Sequence, residues 1–493
     1  MFIKRPNFQM LNTWTNEEKL THLAYSSRFL IVFLQYTANR IIPDHDAKVF
    51  TYPEPHNKTA CDKVVDHVLG GFLRWDAQYF MHIAKYGYTY ENTLAFFPLY
   101  PLFVGFSGKL LSQIVGEVHL DSILLIFFIT LNIYIFKEST LTLYKLTEIL
   151  FNKKVAYDSA VLFCFSPASI FFVAPYTECL FSYLTFWSIL NCLQMYRKYS
   201  KPNNEFGIKD FMCILPVALS TITRSNGILN IGFLTYTFIS VYKKKLKLQQ
   251  QKLCLHSINT LKYGFVMLMA ILDCLIPFIA FQYYCLLKFC QDFPTELPEE
   301  ILHHAAKNKF ILPGTFTLND QKWCSSWLPL AYSYVQDHYW NVGFLRYYEF
   351  KQWPNFLLAF PILFILTYSS IKHLYVNLVL RKYYSIFIME NPTKIKKHKV
   401  RYSDGDLYQP KLMVFYVHTL FLSLFCTFFI NIQVSTRLLC SGSPVVYWIC
   451  SKHLHLFKFP SKSDSSIDLL LRIYFIGYFV AGILLFCNFL PWT

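Results

Sequence analysis

Charge is scarce in this sequence. Asp, Glu, Lys and Arg make up only 15% of its 493 residues, against about 25% in an ordinary soluble domain. That shortage excludes a water-solvated surface over much of the chain. No apolar core precedes Leu23 in the opening MFIKRPNFQMLNTW, so no cleaved signal peptide is expected and the first apolar run should direct insertion. Metal-ligand spacing is also missing. Asp44, His45 and Asp46 are consecutive and do not converge on a helix face, and no second cluster accompanies them. No metal or other cofactor is therefore expected. Paired, interrupted helices in corresponding halves, a mark of many transporters, are absent as well, which leaves a lipid transporter as a weaker reading.

What is abundant is apolar. Hydrophobic residues form 54% of the chain, in runs near the roughly 20 residues that cross about 30 Å of hydrocarbon. The net charge of +16 does not point to nucleic acid, because the basic residues flank the apolar runs instead of lining a solvated face. Fourteen cysteines are present, and most lie within those runs, such as Cys164, Cys192, Cys274 and Cys426, where they serve as small hydrophobes. Cys61, Cys324, Cys440 and Cys450 fall in connecting stretches, where one or two disulfides are expected with a pairing that spacing does not reveal.

The apolar runs are 23–42, 120–136, 155–174, 178–196, 211–242, 260–288, 354–376, 412–432 and 469–490. The long run 211–242 is broken at Arg224-Ser225-Asn226-Gly227. It reads as two short helices, since a charge in mid-span costs about 2.5–3.5 kcal/mol and normally faces protein or water. The fold class is thus an all-α polytopic membrane protein, one domain over 1–493 with about ten spans. The stretch 94–116 is apolar too, but Pro98, Pro101, Lys109 and its glycines weaken it as a helix. If it stays at one leaflet, Lys4 and Arg5 share a side with the basic segments 137–154, 197–209, 243–252 and 381–401, as the positive-inside rule prefers. The opposite, lumenal side then receives a first loop over 43–119, with short interfacial or re-entrant helices, and a second large loop over 289–353. The sequon Asn57-Lys58-Thr59 falls in the first.

Chemistry is expected in those loops. Asp44 and Asp46 follow the first span at once. A carboxylate at the mouth of a bundle suits a general base, because partial burial moves its pKa toward the working pH; capping the next helix after Pro43 is the plainer role for Asp44. Asp76, Tyr79, Phe80, Ile83 and Ala84 have helical spacing, which predicts a short amphipathic helix on the membrane surface with His82 on another face. Trp75 would anchor it at the headgroups. Arg346 and Arg437 flank spans at the lumenal side, where a guanidinium suits a lipid phosphate, although a single interfacial Arg more commonly snorkels. Arg224 and Glu178 lie deeper, and a structural ion pair between them is the competing reading.

Read together, these segments resemble the GPI mannosyltransferase 2 family (PIG-V). The resemblance is carried by IIPDHDA, RWDAQYFMHIAKYGY with AFFPLYPL, LFCFSPASIFFVAPYTECLFSYLTF, TRSNGIL, YWNVGFLRYYEFKQWPNFLLA and STRLLCSGSPVVYW, most of the chain in extent. It implies a GT-C-type multispan helix bundle in the endoplasmic reticulum, with its active site facing the lumen. The implied reaction moves the second mannose of the GPI core, in α1,6 linkage, from dolichol phosphate mannose to a mannosyl-glucosaminyl-phosphatidylinositol acceptor. The implied catalytic acids are Asp44 and Asp76. Asp46, Trp75, His82, Glu178, Arg224, Asn226, Arg346 and Arg437 are the accompanying candidates for binding substrate, with Arg346 or Arg437 on the departing phosphate. The partners are then the two lipid substrates and membrane lipid, with room for an accessory membrane subunit. A sibling transferase with the same type of donor and another acceptor is the nearest alternative.

Overall fold

The computed structural model describes residues 14–492 except 48, 54–56, 202–203, 205, 250–252, 292–295, 315–322, 382–388, 392–393, 396–397, 400–402, 404, 455 and 457–464. Of the basic residues that orient the chain, Lys4, Arg5, Lys252, Lys382, Lys396, Lys397 and Arg401 lie outside the described residues. Seventeen α-helices are described. The first nine are α1 (Asn16–Ile41), α2 (Ala60–Leu69), α3 (Asp76–Tyr86), α4 (Leu99–Ser112), α5 (Leu120–Leu150), α6 (Lys153–Cys164), α7 (Glu178–Tyr199), α8 (Leu215–Thr223) and α9 (Asn230–Gln249). They are followed by α10 (Leu253–Cys290), α11 (Glu299–Asn308), α12 (Ala331–Trp340), α13 (Trp353–Leu374), α14 (Met413–Phe428), α15 (Ser435–Gly442), α16 (Val445–Ser451) and α17 (Ser466–Cys487). Strand among the described residues is confined to the two-residue pair Lys394–Ile395 and His398–Lys399. The protein is an all-α, multi-pass membrane protein.

Among the described residues, five stretches are long and apolar enough to cross a membrane: Leu120–Leu150, Thr260–Cys290, Phe350–Leu380, Pro410–Phe428 and Ser466–Cys487. One expected span has another form, and the run expected to be broken is broken. The run 155–174 is not one helix, because α6 stops after 12 residues and Ser169–Phe172 is a separate 3-10 turn. At 1.5 Å per residue α6 covers only about 18 Å, and Pro167 follows where it ends. Backbone carbonyls bared by this break need partners inside the bundle. Arg28 of α1, fully buried, supplies them by donating to Cys164 O (2.6 Å) and Ser169 O (3.1 Å). The run 211–242 does divide at Arg224, between α8 and α9.

Chain direction follows from contacts at the helix ends. We call the end of the bundle where α1 terminates its upper face. There Asn39 donates to Cys487 O and the His45 N–H to Asn488 O, so α17 ends beside the end of α1 and runs parallel to it. Ten alternating spans would make them antiparallel. The extra traverse is 435–451, read from sequence as a loop carrying Cys440 and Cys450. It forms α15 and α16, both wholly buried, and runs from Arg437 down to Trp448, whose Nε1 donates to Thr147 near the lower end of α5. Around Gly442 the pair packs beside Leu422, Phe181 and Asn226 without crowding.

The expected surface helix exists as α3 but is sunk in the protein. Ala77, Phe80, Met81, Ile83 and Ala84 are buried, and α4 crosses α3 so closely that a Cβ on Gly105 would sit 2.1 Å from Ala84 O. With 14 residues, α4 spans about 21 Å. The chain stands at the upper face after α4, because His119, just before α5, donates its N–H to Asp62 of α2. The second loop is tied down by a disulfide between Cys290 at the end of α10 and Cys324. Of the four cysteines singled out from sequence only Cys324 is bonded; Cys61 is an exposed thiol, and Cys440 and Cys450 are buried ones.

Candidate functional site

Three acids and three arginines meet at the upper face. Asp44 lies in the extended segment after α1 and caps no helix. Its Oδ2 takes 2.8 Å from Arg74 Nη2, and its Oδ1 accepts from Asn39. Arg74 is further held by Cys487 O (3.0 Å) and Gly70 O (2.9 Å), so the last helix and the first loop fix its guanidinium jointly. Two residues on, Asp76 opens α3, and its Oδ2 lies 2.7 Å from Arg437 Nη2. Arg437 also reaches Glu178 Oε1 at 3.3 Å, and Arg224 meets the same oxygen at 2.5 Å. Glu178 is fully buried. A continuous chain Asp76, Arg437, Glu178, Arg224 results, drawn from α3, α15, α7 and the end of α8. A buried carboxylate needs such compensation, because an uncompensated charge costs several kcal/mol.

Local backbone geometry aims Asp76. Trp75 adopts φ 55°, ψ −127°, a region that costs a non-glycine residue about 1–3 kcal/mol and persists only where surroundings impose it. Tyr176 helps impose it, since its hydroxyl accepts the Asp76 N–H at 3.0 Å. The Trp75 indole packs edge-on against Phe489 and its Nε1 is buried without a partner among the described residues, so it is a packing residue inside the site and no headgroup anchor.

Arg437 also lines a narrow recess with room for about one water molecule, together with Phe171, Asn355, Gln433, Thr436 and Trp492. The recess lies between the start of α13, α15 and the segment after α17. Its outer wall is a neutral polar network: Tyr347 Oη donates to Gln433 Oε1 at 3.0 Å, and Asn355 Nδ2 donates to Tyr347 Oη at 2.9 Å.

Of the residues singled out from sequence, Asp44, Asp76, Trp75, Glu178, Arg224 and Arg437 are brought together. Asn226 follows Arg224 in the 3-10 turn Ser225–Leu229, within reach of Gly442 on α15. Three residues lie elsewhere. Asp46 is exposed and makes no hydrogen bond or ion pair among the described residues. Arg346 pairs with Asp337 of α12 on the surface. His82 is fully buried, bonded to Thr89 (2.7 Å) and stacked on Tyr90; burial, then His304 and Lys85, press its pKa down to about 3, so it is a neutral packing residue. Arg74 and Tyr176 were missed. The only signal for Arg74 was its place beside Trp75-Asp76, and Tyr176 had none. Among the described residues no group of three or more His, Cys, Asp or Glu gathers as a metal site.

Comparison with known proteins gives these contacts a setting. Residues 16–493 match the family model described as mannosyltransferase (PIG-V). The GPI mannosyltransferase 2 of Drosophila melanogaster is 34% identical over 97% of this chain and 100% of its own length. The GPI alpha-1,6-mannosyltransferase 2 of Homo sapiens is 32% identical over 97% of this chain and 99% of its own. Among solved structures, the apo Archaeoglobus fulgidus oligosaccharyltransferase is similar with a TM-score of 0.43 and 11% identity, covering 95% of this chain; the chain spans 56% of that protein's length. On the family match along residues 16–493 and identities above 30% over nearly whole relatives, the chain belongs to the mannosyltransferase (PIG-V) family.

Proposed function

We propose that this protein is a GT-C-type, inverting mannosyltransferase of GPI-anchor assembly that adds the second mannose, α1,6-linked, at the lumenal face of the endoplasmic reticulum. The donor in this reading is dolichol phosphate mannose, and the acceptor is mannosyl-glucosaminyl-phosphatidylinositol. The observation that carries it is the carboxylate Asp76, held 2.7 Å from Arg437 at the upper face beside the second arginine-held acid, Asp44. Membership of the family supports the sugar. The Cys290–Cys324 disulfide supports the lumen, since such bonds persist in oxidising compartments.

The transfer needs one base, because phosphate is already a good leaving group. We assign that base to Asp76. The acceptor 6-hydroxyl oxygen attacks the anomeric carbon of the β-linked donor, its proton passes to Asp76, the C1–O bond to phosphate breaks on the opposite face, and the product is α-linked. Arg346 and Arg437, expected from sequence as phosphate clamps, are both engaged with carboxylates. Arg437 acts through that engagement. When Asp76 takes the proton, Arg437 loses a counter-charge while the departing phosphate gains one, so the positive field of the site rises as the transition state develops. In this reading the arginines supply the charge that a metal would otherwise bring.

The test is rescue of surface GPI-anchored protein in cells lacking the second GPI mannosyltransferase, with lipid profiling, using the parent chain, Asp76→Asn and Asp44→Asn at matched expression. The expected result is rescue by the parent and a loss of about 10²-fold or more in transfer for Asp76→Asn, with one-mannose precursors accumulating. Full activity of Asp76→Asn alongside an inactive Asp44→Asn would move the base to Asp44. A correctly inserted parent that does not extend one-mannose precursors would overturn the acceptor.

A further inference from the structure

We propose that the side of α10 at Asp273 docks a transmembrane helix of another protein, one that carries a Lys or Arg at mid-membrane. This goes beyond the proposed transfer and does not depend on it. Between Lys262 and Lys288 every residue of α10 but Asp273 is uncharged, so its carboxylate lies about 16 Å along the helix from one cation and about 22 Å from the other. That places it inside the hydrocarbon, where an acid is costly and normally faces a partner or a water-filled cavity. Asp273 is partly exposed and makes no hydrogen bond or ion pair among the described residues. Pro277 deepens the deficit, since it has no N–H to donate to the Asp273 carbonyl four residues back. The next carbonyl along, Cys274 O, turns to the bundle and accepts from the Thr221 hydroxyl of α8 at 2.9 Å. On the Asp273 side no other helix supplies such a donor among the described residues.

Chemistry selects the occupant. The stretch Thr260–Cys290 is the least covered of the five apolar ones, with only 17% of it buried by the rest of the protein. Leu272, Ile276 and Ile279 are exposed there, and lipid chains satisfy them. Lipid chains cannot serve a carboxylate and a carbonyl that has lost its helical donor. Both groups accept hydrogen bonds, so the occupant must donate, and an ionised acid is best met by a cation. A lipid phosphate is excluded by its own charge. A second copy of this chain is excluded as well, because a two-fold dimer through α10 sets Asp273 against Asp273. The arginines inside the bundle are already engaged by their own chain, Arg28 with Cys164 O and Ser169 O, Arg224 and Arg437 with Glu178 and Asp76. The approach is open, since Ala280, seven residues on and so on the same side, is exposed. Its small side chain lets another backbone come close.

The experiment places the full chain, fluorescently labelled, in phosphatidylcholine vesicles and titrates it with labelled synthetic Leu-Ala helices of about 20 residues that carry a central Lys, Leu or Asp. Energy transfer is expected to show the Lys helix binding about three- to tenfold more tightly than the Leu helix, with the Asp helix weakest. That preference is expected to vanish in Asp273→Leu and to shrink in Asp273→Asn. Equal binding of the Lys and Leu helices by the parent, or a preference that survives Asp273→Leu, overturns the site. Because Asp273 bonds nothing in its own chain among the described residues, Asp273→Leu is expected to melt in detergent at or above the parent's temperature. A lower one would show that the acid serves its own fold, and overturns docking. In cells, a photoreactive residue at Ala280 then identifies the natural occupant. An adduct whose membrane span holds a Lys or Arg, and which is lost in Asp273→Leu, supports the proposal. An adduct with a second copy of this chain, with a span that has no cation, or with lipid alone overturns it.

Discussion

Arg437 stands between two carboxylates, and its removal would leave both without their common partner in a site where it is itself only 8% exposed. Arg437→Met is expected to cost about 3–5 kcal/mol of stability, seen as a lower melting temperature in detergent. Adding Asp76→Asn should recover part of that stability, because Asp76 is the acid that Arg437 alone holds whereas Glu178 keeps Arg224, while transfer stays low because the base is gone. Recovery of transfer by the double variant would contradict the assignment of the base. His82 carries a second residue-scale outcome. Its folded pKa is pressed down to about 3 from an ordinary 6.5, so between those values the unfolded chain binds a proton that the native protein refuses. Stability contributed by neutral His82 is present above about pH 6.5 and is lost as pH falls toward 3. Thermal unfolding at pH 7 and pH 5 should show that loss in the parent and a smaller one in His82→Gln.

At the scale of elements, the broken traverse after α6 depends on a side chain from another helix. Arg28 satisfies Cys164 O and Ser169 O and lies 3.8 Å over the Phe136 ring. Arg28→Met keeps much of the volume but orphans both carbonyls, at about 1–3 kcal/mol each. A marked fall in thermal stability is expected, and Arg28→Lys should recover only part of it, since an ammonium does not reproduce the fork that spans two acceptors. A variant as stable as the parent would show that water fills the break. The arginine was hidden in the sequence because the first apolar run, with Arg28 and Arg40 its two charges, reads as an ordinary span. Likewise α3 had the right helical spacing and the wrong setting: periodicity reports a face, and Gly105 on α4 decides that the face is covered by protein.

For the whole molecule, the parallel course of α1 and α17 sets where the ends lie. Since α17 ends against Asn39 and Arg74, a glycan-acceptor tag fused after residue 493 should be modified on the same side of the membrane as the sequon at Asn57. The measurement is an endoglycosidase mobility shift for the tagged chain, with Asn57→Gln as the single-site control. A tag that is never modified, in a chain modified at Asn57, would restore the antiparallel arrangement. Membrane embedding, the all-helical class, the break at Arg224 and the family resemblance were all legible in the sequence. Each is a local property: hydropathy sums over one stretch, a charge interrupts one run, and a motif is contiguous. Asp44 and Asp76 stood out for the same reason, as acids in a chain that has few. What only the tertiary structure decided was which charges meet. Asp76 and Arg437 are 361 positions apart, and no spacing rule connects them. The buried course of α15 and α16 was equally illegible, because their small and polar residues lower the hydropathy of a segment that is kept from water by neighbouring helices and never faces lipid. Pairing and burial are properties of what packs alongside, and they settled the direction of the last helix, the partners of each acid and the lining of the recess.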